Sequence, residues 1–473
     1  MDGFEDALAR AGAWIEAYYR EPGRFPVFSR ARPGDLVRAL PAEAPEAPES
    51  FAAIFADFER LIVPGLTHWN HPRFFAYFAI SAAPITVIAE ALAAALDVNA
   101  MLWRTSPAAT ELEDVTTSWL RRLLGLDDGL HGIVYDTAST GGFTALSAAR
   151  EALGLEIRER GLAGRSDLPA LRLYVTEHTH SHLEKAAIAL GIGSANVIRV
   201  PVDAARAMRP EALAAALDAD LAAGYRPLAV CATVGTTSTT ACDPIPAIAA
   251  VARERRVWLH VDAAYAGPAA ILPELRSLLA GTEHADSLVV NPHKWLFVPI
   301  DCSVLYVRDL PNLRRTFSLV PDYLIAPETD DVRNYNEYGL QLGRRFRALK
   351  LWFAMRHFGA EGLRARLRAH IALARDLGDR IAATADWQVL APYPLSVVCF
   401  CYAPQRLDDA ARDRANLAIV ETVNATGEAF VSSTRLDGRV AIRVAIGNER
   451  TTAADVETVW RLLRDAAGAP ARR

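Results

Sequence analysis

The sequence is poor in lysine. Of its 473 residues only Lys185, Lys294 and Lys350 are lysines, against 48 arginines. Any chemistry that needs a lysine therefore has three candidates. Cysteine is sparse as well: Cys231, Cys242, Cys302, Cys399 and Cys401 form an odd set without a CxxC pair, which points away from a disulfide framework and a zinc cluster. Cys399 and Cys401 alternate in a strand-like run and read as packed thiols. There is no basic excess, since 51 Lys and Arg face 56 Asp and Glu for a net charge of −5 and a pI of about 6.2. Nucleic acid and anionic membrane thus meet no attracting field. No apolar stretch reaches the roughly 18 uncharged residues of a membrane span, and the N-terminus lacks a basic-then-apolar leader. A cytoplasmic address is expected, with a small molecule as partner.

What is present is globular: 51% hydrophobic, 23% charged and 8% aromatic residues. The length suggests a large domain with a smaller companion. Residues 1–75 read as a helical arm, with amphipathic runs from Phe4 to Tyr19 and from Ser50 to Ile62 separated by the linker PAEAPEAPES. Such an arm has too little apolar surface to stand alone and is expected to pack on the main body or on a second subunit. From Ile133 onward β-rich runs alternate with helical ones: LRLYVT (171–176), NVIRV (196–200), LAVCATVG (228–235), VWLHVD (257–262), SLVVN (287–291) and CSVLYVR (302–308). This alternation predicts an α/β fold with a largely parallel sheet covered on both faces. The large domain is expected over 76–360. Residues 318–339 carry prolines and acids without a period, and long loops of this kind tend to be functional lids. A basic-faced helix at 362–383 and shorter strands at 396–402 and 439–444 predict a smaller C-terminal α/β domain over 361–473.

In open α/β sheets ligands bind beyond the carboxyl ends of the strands. Asp262 ends VWLHVD and Lys294 follows SLVVN, so a parallel sheet brings both to one edge. Pyridoxal phosphate needs both types: a lysine that holds its aldehyde as a Schiff base, and a carboxylate that keeps its ring nitrogen protonated. A helix cap or a buried ion pair would explain Asp262 equally well if it stood alone. Lys294, hemmed by Pro292, His293 and Trp295, is odd as a surface charge; Lys185 and Lys350 sit in helical runs and read as ordinary solvated or paired lysines. The run DTASTGGFTAL (136–146) follows a strand, GIVY, and precedes a helix, which offers free N–H groups and a helix dipole to a phosphate. A plain N-cap is the simpler explanation of that pattern by itself. His180, after LRLYVT, offers a flat ring that can stack on a pyridine. The trio His178, His180 and His182 lacks the carboxylate or cysteine partner that zinc would want.

HPRFFAYF (71–78), SPAATELE (106–113), GTTS (235–238), HVDAAYAG (260–267), NPHKW (291–295) and LGRRFRALKLWF (342–353) together resemble the group II pyridoxal-phosphate decarboxylases, most closely those acting on aromatic L-amino acids. The resemblance covers roughly residues 50 to 450. It implies a type I aminotransferase-like fold with a mostly parallel seven-stranded sheet, and a homodimer with active sites near the subunit boundary. It also implies a Schiff base on Lys294, the ring-nitrogen partner on Asp262 and the stacking ring on His180. The phosphate falls to Ala138, Ser139, Asn291 and His293, Thr237 lies at the cofactor, and Tyr323 in the lid is the catalytic tyrosine. Phe78, Ile80 and Gly343 fall at substrate-binding positions.

Two departures stand out. Ser139 is followed by Thr140 and Gly141 where the family's turn continues with Glu-Ala, and Ala79-Ile80 stand where many relatives have Pro-Thr, so a hydroxyl that touches the substrate carboxylate is missing. Glycine at 343 resembles the aromatic-using members, where a small residue leaves room for a large ring; plain backbone duty is the competing explanation. The implied reaction is loss of carbon dioxide from tryptophan, tyrosine, phenylalanine or DOPA, with Tyr323 returning a proton to Cα. The alternatives are an oxidative aldehyde synthase or an aminotransferase on the same fold, and a cofactor-binding regulator without turnover.

Overall fold

The computed structural model describes residues 3–78, 80–319 and 332–468. The chain divides into two compact units, Ile85–Ile371 with Ala391–Leu395, and Met1–Pro84 with Ala372–Leu390 and Ser396–Arg473.

The first unit is built on seven strands: β1 (His131–Tyr135), β2 (Leu171–Val175), β3 (Val197–Arg199), β4 (Arg226–Thr233), β5 (Trp258–Asp262), β6 (Ser287–Val290) and β7 (Ser303–Val307). Their order is β1-β7-β6-β5-β4-β2-β3. Only β7 runs against its neighbours β1 and β6, and the other pairs are parallel. The apolar runs of the sequence fall on these strands within about two residues. They are legible because parallel strands are covered on both faces and read as continuous apolar stretches. Every residue of β6 and β7 is buried, and all but the first of β4 and β5.

Helix Ala138–Ala152 packs over this sheet. Its Leu146 and Ala149 join Leu173 and Leu183, while Ala145 and Ala148 join Ile133, Val289 and Leu305. Each large apolar side chain fully buried in this way stabilises the fold by roughly 1.5–3 kcal/mol. The parallel sense has the consequence that matters for function: Tyr135, Val175, Thr233, Asp262 and Val290 all end at one edge, and the turns that follow them converge there.

The second unit holds β8 (Trp387–Val389), β9 (Val397–Tyr402), β10 (Ser432–Leu436) and β11 (Arg439–Ala445), antiparallel in the order β10-β11-β9-β8. β9 and β11 are the strands expected at 396–402 and 439–444. Trp387 and Trp460 meet edge to face at 5.0 Å. The amphipathic runs of the arm form the helices Phe4–Arg20 and Phe51–Asp57, the latter continued by a wider turn, Phe58–Ile62. The HPRFFAYF segment is tied into this unit by backbone bonds from Phe75 N–H to Phe430 O (2.8 Å) and from Ala445 N–H to Phe75 O (2.9 Å). Phe74, Ala76, Val27 and Phe430 form its apolar cluster. The long helical stretch Ala348–Ala382 is broken at Gly359, whose φ of 59° is open to glycine at little cost.

Candidate active site

Asp262, the last residue of β5, is only 5% exposed. Burial pushes its carboxyl pKa up, but His182, Lys294, the N–H of Ala264 and His260 outweigh that effect and hold it below the ordinary aspartate value. The Ala264 N–H donates to Oδ1 at 3.0 Å. Burial drives both flanking imidazoles the other way, His182 and His260 each down to about 4, so neither brings a proton to the carboxylate at neutral pH. The site thus holds a buried anion flanked by neutral rings, and such an anion needs a cation to face it.

Beside it, the turn after β1 starts helix Ala138–Ala152. The side chain of Thr137 caps Thr140 N–H, and Gly141 N–H bonds to Thr137 O at 3.0 Å. The N–H groups of Ala138 and Ser139, ahead of these, have no acceptor within the helix and lie at the positive end of its dipole. They are donors suited to an anion.

After β2, the Thr176 N–H donates to Thr179 Oγ1 at 3.0 Å and closes a turn that presents His180. His180 Nδ1 lies 3.0 Å from His182 Nδ1. Partial burial and the charge of Lys294 lower the His180 pKa, so this ring is neutral too.

Lys294 stands, half-buried, on the short helical turn Pro292–Trp295 after β6. That turn is tightly held. Asn291 N–H donates to Ala264 O at 3.1 Å and Lys294 N–H to Asn291 O at 2.9 Å. His293 Nδ1 accepts from Cys302 N–H at 2.9 Å, its Nε2 lies 3.2 Å from Asn291 Nδ2, and Ser303 Oγ lies 2.7 Å from Asn291 Oδ1. Both ring nitrogens of His293 are therefore engaged inside the segment, which fixes the turn under the lysine. The next residue, Trp295, stacks on Tyr265 at 5.0 Å and donates to His370 Nδ1 at 3.0 Å.

Ala138, Ser139, His180, Asp262, Asn291, His293 and Lys294 are thus brought to one sheet edge, although they are spread over 157 positions of sequence. Thr237 is exposed in the loop after β4, which Gly235 opens with a φ of 84°. Phe78 belongs to the other unit, where the Arg443 guanidinium lies 4.8 Å over its ring; Ile80, in the same unit, is half-buried. Gly343 is exposed, its φ lies outside the left-handed region, and an added Cβ would meet only Asn99 Nδ2 at 3.9 Å. Its smallness leaves open space there, and no backbone need accounts for it. Tyr323 lies outside the described residues, as does Ala79.

Two features escape the sequence reading. His182 registers there only as one of three histidines, and its ring against His180 could be found only in three dimensions. Glu113 and Arg344 form a buried pair at 2.7 Å, and Glu113 Oε1 also accepts the Val134 N–H of β1 at 2.8 Å, which anchors the strand before the Ala138 turn.

An ionised buried carboxylate, a lysine amine and a set of helix-end N–H donors make three different demands. Pyridoxal phosphate meets all of them, with a protonated ring nitrogen, an aldehyde and a phosphate. The comparisons agree. The model of the pyridoxal-dependent decarboxylase conserved domain matches residues 33–403. Tryptophan decarboxylase 2 of Oryza sativa subsp. japonica is 38% identical over 464 residues, covering 96% of this chain and 92% of that protein. Phenylacetaldehyde synthase of Arabidopsis thaliana is 36% identical, with 96% and 94% covered. The crystal structure of Oryza sativa TDC with PLP and tryptamine superposes with a TM-score of 0.94 at 34% identity, covering 98% of each chain. The fold implied by the resemblance is thus the one found, and the chain belongs to the pyridoxal-dependent decarboxylase family, with pyridoxal phosphate as its cofactor.

Proposed function

We propose that this chain decarboxylates an aromatic L-amino acid to the amine and carbon dioxide. The observation that carries the reading is Asp262, buried at the end of β5, on the same sheet edge as Lys294. When bound, the cofactor supplies a sink for the electron pair left on Cα as carbon dioxide departs.

The chain's own residues do the rest. Lys294 would tether the cofactor through its amine, and Asp262 would keep the ring nitrogen protonated. Ala138 and Ser139 would give N–H groups to the phosphate, Asn291 and His293 hold the lysine's turn in register, and Thr237 would lie at the cofactor. His180 would offer its imidazole to the cofactor ring. Tyr323 would return a proton to Cα. The open space at Gly343 suits a large side chain. Tryptophan decarboxylase 2, among the relatives, supports the aromatic class.

The reading extends to a cytoplasmic homodimer. Five free cysteines suit a reducing compartment. The arm exposes Phe4 (58%), Leu8 (61%), Val37 (79%) and Ile54 (54%), an apolar surface that a second subunit would cover.

A second reading, oxidative formation of an aldehyde, is favoured by the phenylacetaldehyde synthase relative. One assay separates the two. Tryptophan, tyrosine, phenylalanine and DOPA are each supplied to the purified protein while carbon dioxide, amine, aldehyde and oxygen are measured. Equal amine and carbon dioxide without oxygen uptake is the expected result, and Tyr323→Phe should divert product to aldehyde with oxygen consumed. Aldehyde, peroxide and oxygen uptake from the parent protein would establish the second reading. Inertness towards all four substrates would sink both.

A further inference from the structure

We propose that His182 is a positioning residue that fixes which nitrogen of His180 carries the proton, holding His180 as the Nε2–H form. The two Nδ1 atoms are 3.0 Å apart, so a proton must lie on one of them and a lone pair on the other. A second contact decides which. The backbone N–H of His182 donates to the same His180 Nδ1 at 3.3 Å. That N–H is available because it opens helix His182–Ala189 and has no acceptor within it. A nitrogen that accepts cannot also carry the hydrogen. His180 Nδ1 is therefore the lone pair, His182 Nδ1 is the donor, and the single proton of neutral His180 sits on Nε2.

The far side of His182 agrees. The ring is 4% exposed, and its Nε2 has no hydrogen-bond partner among the described residues. In the assigned form that atom is a bare lone pair; in the opposite form it would be a buried N–H donor with nothing to receive it, the more costly orphan. Burial also keeps His182 from taking a second proton, pushing its pKa down to about 4. The charged and titratable groups that face the pair are Asp262, Lys294, Lys185 and His260. Room for the ring is made by Gly142, where a Cβ would stand 2.8 Å from Cδ2 and Nε2 of His182. Gly142 lies within helix Ala138–Ala152, so its smallness serves close approach.

The catalytic consequence rests on the proposed place of His180 over the cofactor: the ring keeps a neutral Nε2–H donor in the reaction space. The tautomer itself does not depend on that placement. Full-length protein with ¹⁵N-labelled histidine rings tests it, with and without pyridoxal phosphate. His180 should show Nε2–H and bare Nδ1 in the parent protein. It should do the same in His182→Asn, whose amide N–H replaces the lost donor. In His182→Leu only the longer backbone N–H contact at 3.3 Å remains on Nδ1, so the Nε2–H form should stay the major one but with a measurable share of Nδ1–H. The His180 titration midpoint should then rise by roughly one pH unit, and the acid limb of kcat/KM with it.

Nδ1–H on His180 in the parent protein would overturn the proposal without any variant. So would unchanged His180 signals in His182→Leu, or, should that variant not fold, a tautomer mixture in His182→Asn. A cofactor that leaves the His180 signals unmoved would instead remove His180 from the cofactor face and leave the tautomer result standing.

Discussion

Lys294 and Lys350 occupy contrasting parts of the same unit. Lys350 is the more deeply buried at 1% exposure, and its ammonium forms an ion pair with Glu90 Oε2 at 2.9 Å. Arg345 holds the same carboxylate, and Arg347 pairs with Asp301 at 2.8 Å. Every charge there has an opposite charge beside it. Lys294 is only half-buried, on a turn locked by Asn291 and His293 at the edge where the strands end. Its charge is felt by Asp262, His180 and His293. Burial alone therefore does not mark a lysine for chemistry. What distinguishes Lys294 is a rigid backbone at the edge where the strands end, with its charge felt at Asp262, whereas Lys350 is buried against Glu90.

The widest separation between the two should come from removing them. Lys294→Ala should lower turnover on the order of 10⁴- to 10⁶-fold, the scale of losing a covalent catalytic group. Borohydride should then no longer fix cofactor to the protein. Peptide mapping that finds the label on Lys350 or Lys185 in the parent protein would reverse the comparison.

Asp262→Ala should cost about 10²- to 10³-fold in kcat, as the loss of a preorganised electrostatic partner does. It should also weaken cofactor retention, measured by equilibrium titration. Turnover near the parental rate at saturating cofactor would take Asp262 out of the mechanism.

Lys350→Met keeps the volume and strips Glu90 of one partner. Glu90 is 28% exposed and retains Arg345, so water and the remaining charge soften the loss to about 1–3 kcal/mol. Urea unfolding measures it, and borohydride should still label Lys294. Loss of that label with stability intact would give Lys350 a chemical role.

The smallest effect per site concerns acid. His182 and His260 are pushed down to about 4 by burial, and His71 and His293 to about 3. Below about 6.5 the unfolded chain takes protons that these folded rings refuse. Their stabilising contribution is thus full above about pH 6.5 and is lost as pH falls through the folded values, by up to about 1.4 kcal/mol per site and pH unit. Urea midpoints from pH 7.5 to 5 should decline accordingly; a flat profile would mean that these rings are open to water.

The large sheet was readable because a parallel strand covered on both faces has no polar side to interrupt its apolar run, as in SLVV and SVLYV. β10, SSTRL, escaped for the opposite reason: its residues alternate between exposed and half-buried up to Leu436, so it carries no apolar period. Gly343 could be placed by motif, but whether it serves backbone or space depended on a φ angle and the distance to Asn99, neither of which is written in the residue.

By itself the sequence determined the inventory and its order: which lysine follows a buried strand, which aspartate ends one, which glycine-rich turn opens a helix. Those facts are local, and local patterns survive in one dimension. Tertiary structure decided the rest. The charge state of Asp262, the engagement of His293 with Asn291 and Cys302, and the tautomer of the His180–His182 pair all arise from groups meeting across the fold. Burial and hydrogen-bond geometry fix protonation, and both exist only once the strands have been brought side by side.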